Sequence, residues 1–562
     1  MTTSVTLAAK VSVEKPDAWW SSADPDALSD WQDKRFGMFI HWGPVAISGE
    51  RISWSRGDPT PVEVYDNLYK QFDAVNFDPD AWVTLAKETG MKYIVLTTKH
   101  HDGFCLWDSQ YTEYDVMNTP LKRDVVKELA EACKKQGMPF GTYYSVCDWH
   151  HEDFPRTGVG GSEVREGADF EVYKKYLRNQ VTELVKNYGP LICMWYDVPQ
   201  GVSIEEGWEN VRFVRELQPD ILVNDRSGGH KGLGLGDFTT PERHVGDFDI
   251  ERPWESCMPL GRSWSWKPNE VLKPLSECIQ SLASTAGGGG NLLLNVGPTP
   301  DGVIEPEQVE RLREIGDWME QYGHTIYSTR GGPYMTTRHM ATTRKDNKVY
   351  VHILNWPDNV LFLPKLPANI VSHRLLTGGT ARLEAVDDGY IINIDEADRS
   401  ALDTILELEL DRSAMDLAPV AVAEVNRPVT EGRSAVANEV RNIRGNVRRY
   451  AAGNAVDGDF HKRWSVEMET RESWLEVDLG GMKTFERGYI LEFGQNIQEF
   501  ELLAKVGDSW KVFHRGTRIG KDYEFNFEPV TAQFVRLNIL KATGSPSIAE
   551  MQLYAPFQTR EK

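Results

Sequence analysis

The sequence predicts an α/β fold, a (β/α)8 barrel followed by two all-β sandwiches. Three observations lead there. Helix and strand signals alternate over about the first 300 residues, as a parallel sheet with crossover helices requires. The strands end in polar or aromatic side chains, where a barrel collects its site. After about residue 330 the helix signals vanish and short strands separated by turns take over.

The elements follow in order. Phe36-Gly-Met-Phe-Ile40 reads as a strand running into His41. Pro79 to Gly90 is a capped amphipathic helix stopped by glycine, and Tyr93 to Thr98 is its β-branched strand, ending in Lys99-His100-His101-Asp102. Asp124 to Gly137 places Val125, Val126, Leu129 and Cys133 on one face. Its strand, Phe140 to Ser145, carries Tyr143 and leads to Asp148. Tyr173 to Gly189 carries Leu177, Val181, Leu184 and Val185, and the strand Leu191 to Tyr196 ends in Asp197. Val211 to Leu217 is a helix stopped by Pro219; Ile221 to Val223 is its strand, ending in Asp225-Arg226. Beyond the barrel, Val349–Leu354, Tyr390–Ile394 and Thr404–Leu410 are short strands, and Trp474–Gly480 and Phe534–Ile539 belong to a later all-β segment. The expected division is 1–330 for the barrel, 331–415 for a sandwich, 416–431 for an Ala-, Val- and Pro-rich linker, and 432–562 for a second sandwich.

Composition narrows the function. With 562 residues the chain is long enough for about three domains. A formal charge of −22 argues against nucleic acid, whose phosphates it would repel. No run of 18 apolar residues is present, so no membrane-spanning helix is expected. The first residues, MTTSVTLAAKVSVEK, lack a basic leader; the expectation is a cytoplasmic protein, or a periplasmic or secreted one whose leader has been removed. The six cysteines form no CxxC pair, which points to reduced structural thiols and away from zinc. Gly287-Gly-Gly-Gly290 lacks the Lys-Ser/Thr of a phosphate loop.

Asp197 is the first candidate for chemistry, a carboxylate delivered to the rim. Glycoside hydrolysis needs two carboxyl groups flanking one bond. The partner is Glu242 or Glu255, both in the long aperiodic region after Arg226, and periodicity does not choose between them. His41, His100 and His101 fit hydrogen bonding to a polyhydroxylated ligand better than metal binding, since no HExxH-type spacing accompanies them. Trp54, Trp195 and Trp266 are candidates to stack on the apolar face of a sugar.

These residues fall within motifs that resemble a family. FGMFIHWG (36–43), TTKHHDGFCLWDS (97–109), KRDVVKELAEAC (122–133), FGTYYSVCDWHH (140–151), MWYD (194–197), TPE (240–242), PWESC (253–257) and NLLLNVGPTPDGVIEPEQ (291–308) together resemble the α-L-fucosidases of glycoside hydrolase family 29. The resemblance implies a retaining exo-fucosidase on an imperfect (β/α)8 barrel, acting on a fucosylated oligosaccharide without a catalytic metal. It makes Asp197 the nucleophile and favours Glu242 as acid/base, with Glu255 in reserve. His41, His100, His101, Tyr143, Trp195 and Arg226 match sugar-binding positions; Trp54 and Trp266 match less clearly, as aromatic walls. Ser53-Trp54-Ser55 stands where many members have Glu-Trp-Tyr, which favours the subgroup specific for α-1,3/4 linkages. Tyr322-Gly323-His324 departs from a more usual Asn-Gly-Glu and is expected to be structural. From about residue 450 the chain resembles discoidin-type, family 32 carbohydrate-binding-module-like domains, which implies a possible structural calcium near Asn454, Asp457 and Asp459. The cluster Arg441, Arg444, Arg448 and Arg449 is expected to be a solvated face.

Overall fold

The structure, a computed structural model, describes residues 23–229, 235–356, 360–422, 428–442, 446–460, 462–520 and 523–556. The chain divides into two compact units, Met1–Val422 and Ala423–Lys562.

The first unit opens with a curled parallel sheet. Its strands are β1 (Phe36–Ile40), β2 (Ile94–Lys99), β3 (Phe140–Ser145), β4 (Cys193–Asp197), β5 (Leu222–Val223), β6 (Glu255–Pro259) and β7 (Asn291–Val296). Their order is β5-β4-β3-β2-β1-β7-β6, and every pairing is parallel. Between β5 and β6 an extended segment closes the ring through isolated parallel bridges: Asn224 with Phe238, Thr239 with Trp254, and Glu242 with Cys257. The Asp237 N–H donates to the Val223 carbonyl at 2.7 Å, and the Cys257 N–H to that of Pro241 at 3.0 Å. Residues 237–242 are therefore an irregular stave. Pro241 has no N–H to give, so its contribution to a ladder is a carbonyl alone.

The helices between strands start where side chains can satisfy their free N–H groups. Asp78, Asp124 and Asp169 cap Pro79–Glu88, Val125–Gln136 and Phe170–Tyr188. Ser203 and Glu206 form a capping box on Ile204–Leu217, so this helix begins seven residues before the Val211 expected from periodicity. Each full barrel strand is buried on both faces, apart from the half-buried Asp197 at the end of β4, as a sheet wrapped by helices requires. Aromatic rings fill the barrel interior: Phe39, Tyr93, Tyr143, Trp195 and Phe238 pack together with Leu222 and Leu293. They form the floor on which the site stands.

Residues 330–420 of the same unit form two antiparallel sheets packed over a core of Val349, Val351, Leu363, Ile392, Leu406 and Leu408. They lie against the barrel helix Leu275–Gly288. A Cβ on Gly287 would sit 2.8 Å from that of Ala341, and the Gln280 amide donates to the Leu354 carbonyl at 2.8 Å. His324 makes an edge contact with Tyr350, a structural use of the Tyr-Gly-His segment. Of the linker expected over 416–431, Val420 bridges Tyr334, and residues 423–427 lie outside the described residues.

The second unit is a β-sandwich built on two long bent strands, Ser473–Glu492 and Tyr523–Ala542, which contain both segments expected there. Trp464, Leu475, Val477, Leu502, Val535 and Leu537 form its core. Arg441 and Arg449 lie over the Tyr450 ring, whereas Arg444 lies outside the described residues.

Candidate active site

The C-terminal ends of the staves enclose a small cavity of about 100 Å³, room for a single ring rather than a chain. Phe39, His41, Trp54, His100, His101, Tyr143, Trp195, Asp197, Val198, Arg226, Glu242, Cys257 and Trp264 line it. The structure thus brings together all but two of the residues singled out from the sequence.

Asp197, the last residue of β4, accepts a hydrogen bond at Oδ2 from the Tyr143 hydroxyl at 2.8 Å and at Oδ1 from Arg226 Nη1 at 2.8 Å. The same Nη1 lies 3.1 Å from Glu242 Oε2. Two carboxyl oxygens on one nitrogen are within about 5.9 Å of each other, by the triangle inequality. Arg226 is itself held: its Nε donates to Thr240 Oγ1 at 2.7 Å, its Nη2 to the Thr240 carbonyl at 2.9 Å, and its plane lies over Trp195. Thr240 belongs to the irregular stave, so the segment that carries Glu242 also fixes the arginine that spans the pair. Burial alone would raise the Asp197 pKa; the Arg226 charge and hydrogen bond outweigh it, with help from His101, and hold the carboxyl below its ordinary value.

The three histidines are neutral, two of them with tautomers set by their outer partners. Asn295 gives its amide N–H to the Trp264 carbonyl at 2.7 Å, so its oxygen, 2.6 Å from His41 Nδ1, accepts from that nitrogen. Ser145 donates to the Cys147 carbonyl at 2.7 Å and so accepts from His101 Nδ1 at 2.8 Å. His41 and His101 therefore present bare Nε2 lone pairs to the cavity. His101 Nε2 stands 3.9 Å from Asp197 Oδ2. Ser53 Oγ takes the Asp102 N–H at 2.9 Å and meets His100 Nδ1 at 2.6 Å, which holds the ring in place. Burial pushes His41 down to about 3 and His101 down to about 4, the Asp197 charge resisting in both. Two acceptors and the Asp197–Arg226 pair suit a ligand rich in hydroxyls.

Aromatic rings complete the walls. Tyr143 stacks on His100 with 8° between planes, and Trp54, 40% exposed, stands edge-on to His101. Two expectations change here. Trp266 does not line the cavity; its ring packs beside Gly49, and its backbone crowds Gly297. The wall is Trp264, two residues earlier, stacked on His41 at 5.0 Å. Glu255 is not at the rim. As the first residue of β6 it is sealed in the barrel interior, accepting from the Tyr93 hydroxyl and from Trp195 Nε1 at 3.0 Å. Burial raises its pKa to about 7, against the pull of those two donors. Ser53 and Asn295 were missed because nothing in a sequence marks a side chain that orients another.

A barrel rim with an arginine-bridged carboxyl pair, neutral hydrogen-bonding histidines and aromatic walls defines a carbohydrate-active hydrolase site. Residues 4–324 match the family described as alpha-L-fucosidase, and residues 437–551 match the F5/8 type C domain. Human plasma alpha-L-fucosidase is 31% identical over 401 residues, covering 65% of this chain and 84% of that protein. Alpha-L-fucosidase isoenzyme 1 from Paenibacillus thiaminolyticus is 35% identical with a TM-score of 0.62, covering 68% of this chain and 99% of that one. A family 29 fucosidase of Bacteroides thetaiotaomicron, trapped as a covalent intermediate with 2-fluoro-fucosyl fluoride, is 27% identical with a TM-score of 0.63, covering 72% and 99%. The chain belongs to the α-L-fucosidase family and is a glycoside hydrolase.

Proposed function

We propose that the protein releases terminal α-1,3- or α-1,4-linked L-fucose from branched glycans with retention of configuration, using Asp197 as nucleophile and Glu242 as acid/base. The observation that carries the reading is the single Arg226 nitrogen bridging both carboxyl groups. Their separation is within reach of the ~5–5.5 Å of retaining enzymes and short of the ~6.5–9.5 Å that leaves room for water in inverting ones. Asp197, kept ionised, attacks the anomeric carbon as the glycosidic C–O bond breaks, and Glu242 gives its proton to the departing oxygen. Glu242 then takes a proton from water, whose oxygen attacks the same carbon and frees Asp197. The covalent intermediate trapped in the Bacteroides relative supports the first step. His41 and His101 accept from sugar hydroxyls, with His100 beside them.

The linkage preference rests on Ser53. It is buried and committed to His100 and Asp102, so no carboxylate reaches the sugar from that position. Replacing Asp197 with Gly should lower turnover by on the order of 10⁴-fold. Azide should then restore cleavage of an activated fucoside and yield β-fucosyl azide. An α-azide product would sink the nucleophile assignment. Release from Lewis a and Lewis x trisaccharides, compared with 2′-fucosyllactose, tests the linkage.

In the second unit we propose a structural calcium, with a revised set of residues. Asn454 donates its amide to the carbonyls of Arg449 and Arg463, both at 3.1 Å. Lys462 Nζ sits 3.1 Å from both Asp457 and Asp459. Glu550 is the better candidate because it is buried with neither carboxyl oxygen hydrogen-bonded among the described residues. Burial and then Asp457 push its pKa up to about 8. Among the described residues no three acidic, histidine or thiol side chains cluster there, so backbone carbonyls would have to complete the site. A cation beside Glu550 and Asp457 would offset that crowding. Loss of thermal stability of this unit on chelation is the expected sign; an unmoved transition counts against it.

A further inference from the structure

Beside the sugar cavity lies a second, larger groove of about 590 Å³ that shares Trp54, Glu242 and Trp264 with it. The leaving group of the reaction proposed above must depart past Glu242, so this groove is where the sugar bearing the fucose would lie. Its charge is unlike that of the rest of the chain. The whole protein has 84 acidic against 62 basic residues. The groove has four cations, Arg51, Arg243, Arg262 and Lys267, against two acids, Glu242 and Glu270.

The cations stand on two walls that are joined. Ser265 Oγ donates to the Glu50 carbonyl at 2.8 Å and accepts the Ile52 N–H at 3.0 Å, tying the Arg51 wall to residues 262–271. Arg243 follows Glu242 directly. Its Nη1 donates to the Arg262 carbonyl at 2.9 Å, and its guanidinium lies over the Trp264 ring, 5.0 Å from the centroid. Its charge reaches the sugar cavity, since it is among those acting on His41. A guanidinium fixed on a ring face keeps its remaining N–H fork for a planar or tetrahedral anion.

We infer that this groove is built for an anionic aglycone, a branch that carries a carboxylate or a sulfate ester on a sugar close to the fucosylated one. The inference rests on the fucosidase reading for the position of the groove but not for its charge. The net charge of −22 opposes such a ligand at long range, so the groove acts only within about the 8 Å screening length of physiological salt.

The test uses the full chain and a Lewis x trisaccharide in neutral, 3′-sulfated and 3′-sialylated forms. Binding is measured by calorimetry on the Asp197→Asn variant, and kcat/KM on the active enzyme. At least one acidic form should bind roughly 3- to 10-fold more tightly than the neutral form, the range expected for a few exposed charge contacts. The preference should vanish in high salt and when Arg51→Gln, Arg262→Gln and Lys267→Gln are combined, while hydrolysis of nitrophenyl α-L-fucoside by that triple variant is unchanged. Each of these side chains is exposed, and the single Lys267→Gln variant should show a smaller loss of the same kind. Comparing the sulfated and sialylated arms tells which anion is read. Equal or weaker binding of both acidic forms overturns the inference. Failure of the active enzyme to cleave nitrophenyl fucoside and all three oligosaccharides overturns the fucosidase reading instead, with the binding comparison still decisive for the groove.

Discussion

Glu255 offers a prediction that separates a buried structural acid from a catalytic one. Its carboxyl accepts from Tyr93 and Trp195 inside the barrel, and its pKa rises from an ordinary 4.5 to about 7, with burial as the main cause. A carboxyl with a raised folded pKa holds its proton more tightly folded than unfolded. The stability it lends is present below about pH 4.5 and is lost as the pH rises through about 7. The full swing is about 3 kcal/mol, of which about 2.5 kcal/mol falls between pH 5 and pH 8. Replacing Glu255 with Gln keeps the shape and removes the titration. Urea unfolding of the wild type and Glu255→Gln at both pH values isolates the effect, because all other titrating groups cancel in the difference. The variant should gain about 2.5 kcal/mol on the wild type between pH 5 and pH 8. It should also keep nitrophenyl fucoside turnover within about tenfold, since Glu255 reaches the cavity only through Trp195. A difference that does not change with pH would refute the buried-acid account. Loss of turnover comparable to that of an Asp197 variant would return Glu255 to the acid/base role.

Other expectations are shorter to state. Arg226→Met removes the nitrogen shared by Asp197 and Glu242 and should lower kcat by roughly 10²-fold or more. Because Arg226 holds Asp197 low, the acid limb of kcat/KM should move to higher pH, and an unmoved limb would count against the assignment. Trp264→Ala should raise KM roughly 3- to 10-fold through loss of an aromatic wall. Trp266→Ala should leave KM alone and lower the melting temperature; the reverse pattern would restore the expectation drawn from the sequence. Ser53→Ala strips the partner from His100 Nδ1 and the acceptor from the Asp102 N–H, at a cost of about 1–3 kcal/mol for a buried group left unpaired. A fall in both melting temperature and kcat/KM is expected, and unchanged kinetics would mean that the placing of His100 does not matter.

Much of this was legible from residues alone, for physical reasons. Strands buried on both faces read as continuous apolar runs, and the Asp and Gly punctuation of the helices marked most of their ends. The helix at Ile204–Leu217 was read only from Val211 because its first turns are acidic and contain Gly207, whose lack of a side chain lets it meet Gly228. The stave at 237–242 left no strand signal: its six residues include Asp, two Thr and a Pro, and its pairing consists of single bridges. His41, His100, His101, Asp197 and Arg226 were found because each ends or closely follows a strand. Trp264 was missed for Trp266 because a loop has no period to say which side chain faces inward. The separation of Glu242 from Glu255 needed depth, and depth is a property of packing rather than of spacing.

The irregular stave makes the two carboxyl groups unequal partners in another sense. Asp197 belongs to the frame: β4 is laddered to β3 on one side and β5 on the other, so moving its carboxyl would mean rebuilding the sheet. Glu242 is mounted on a bracket, tied by isolated bridges and followed by a loop that returns to β6 only at Glu255. A change in that loop acts first on Glu242 and on the charged wall that begins at Arg243, the parts of the site tied least to the ladder. Under the roles proposed above, the fold divides attack on the sugar, built into the ladder, from recognition of whatever the sugar is attached to, built onto its edge.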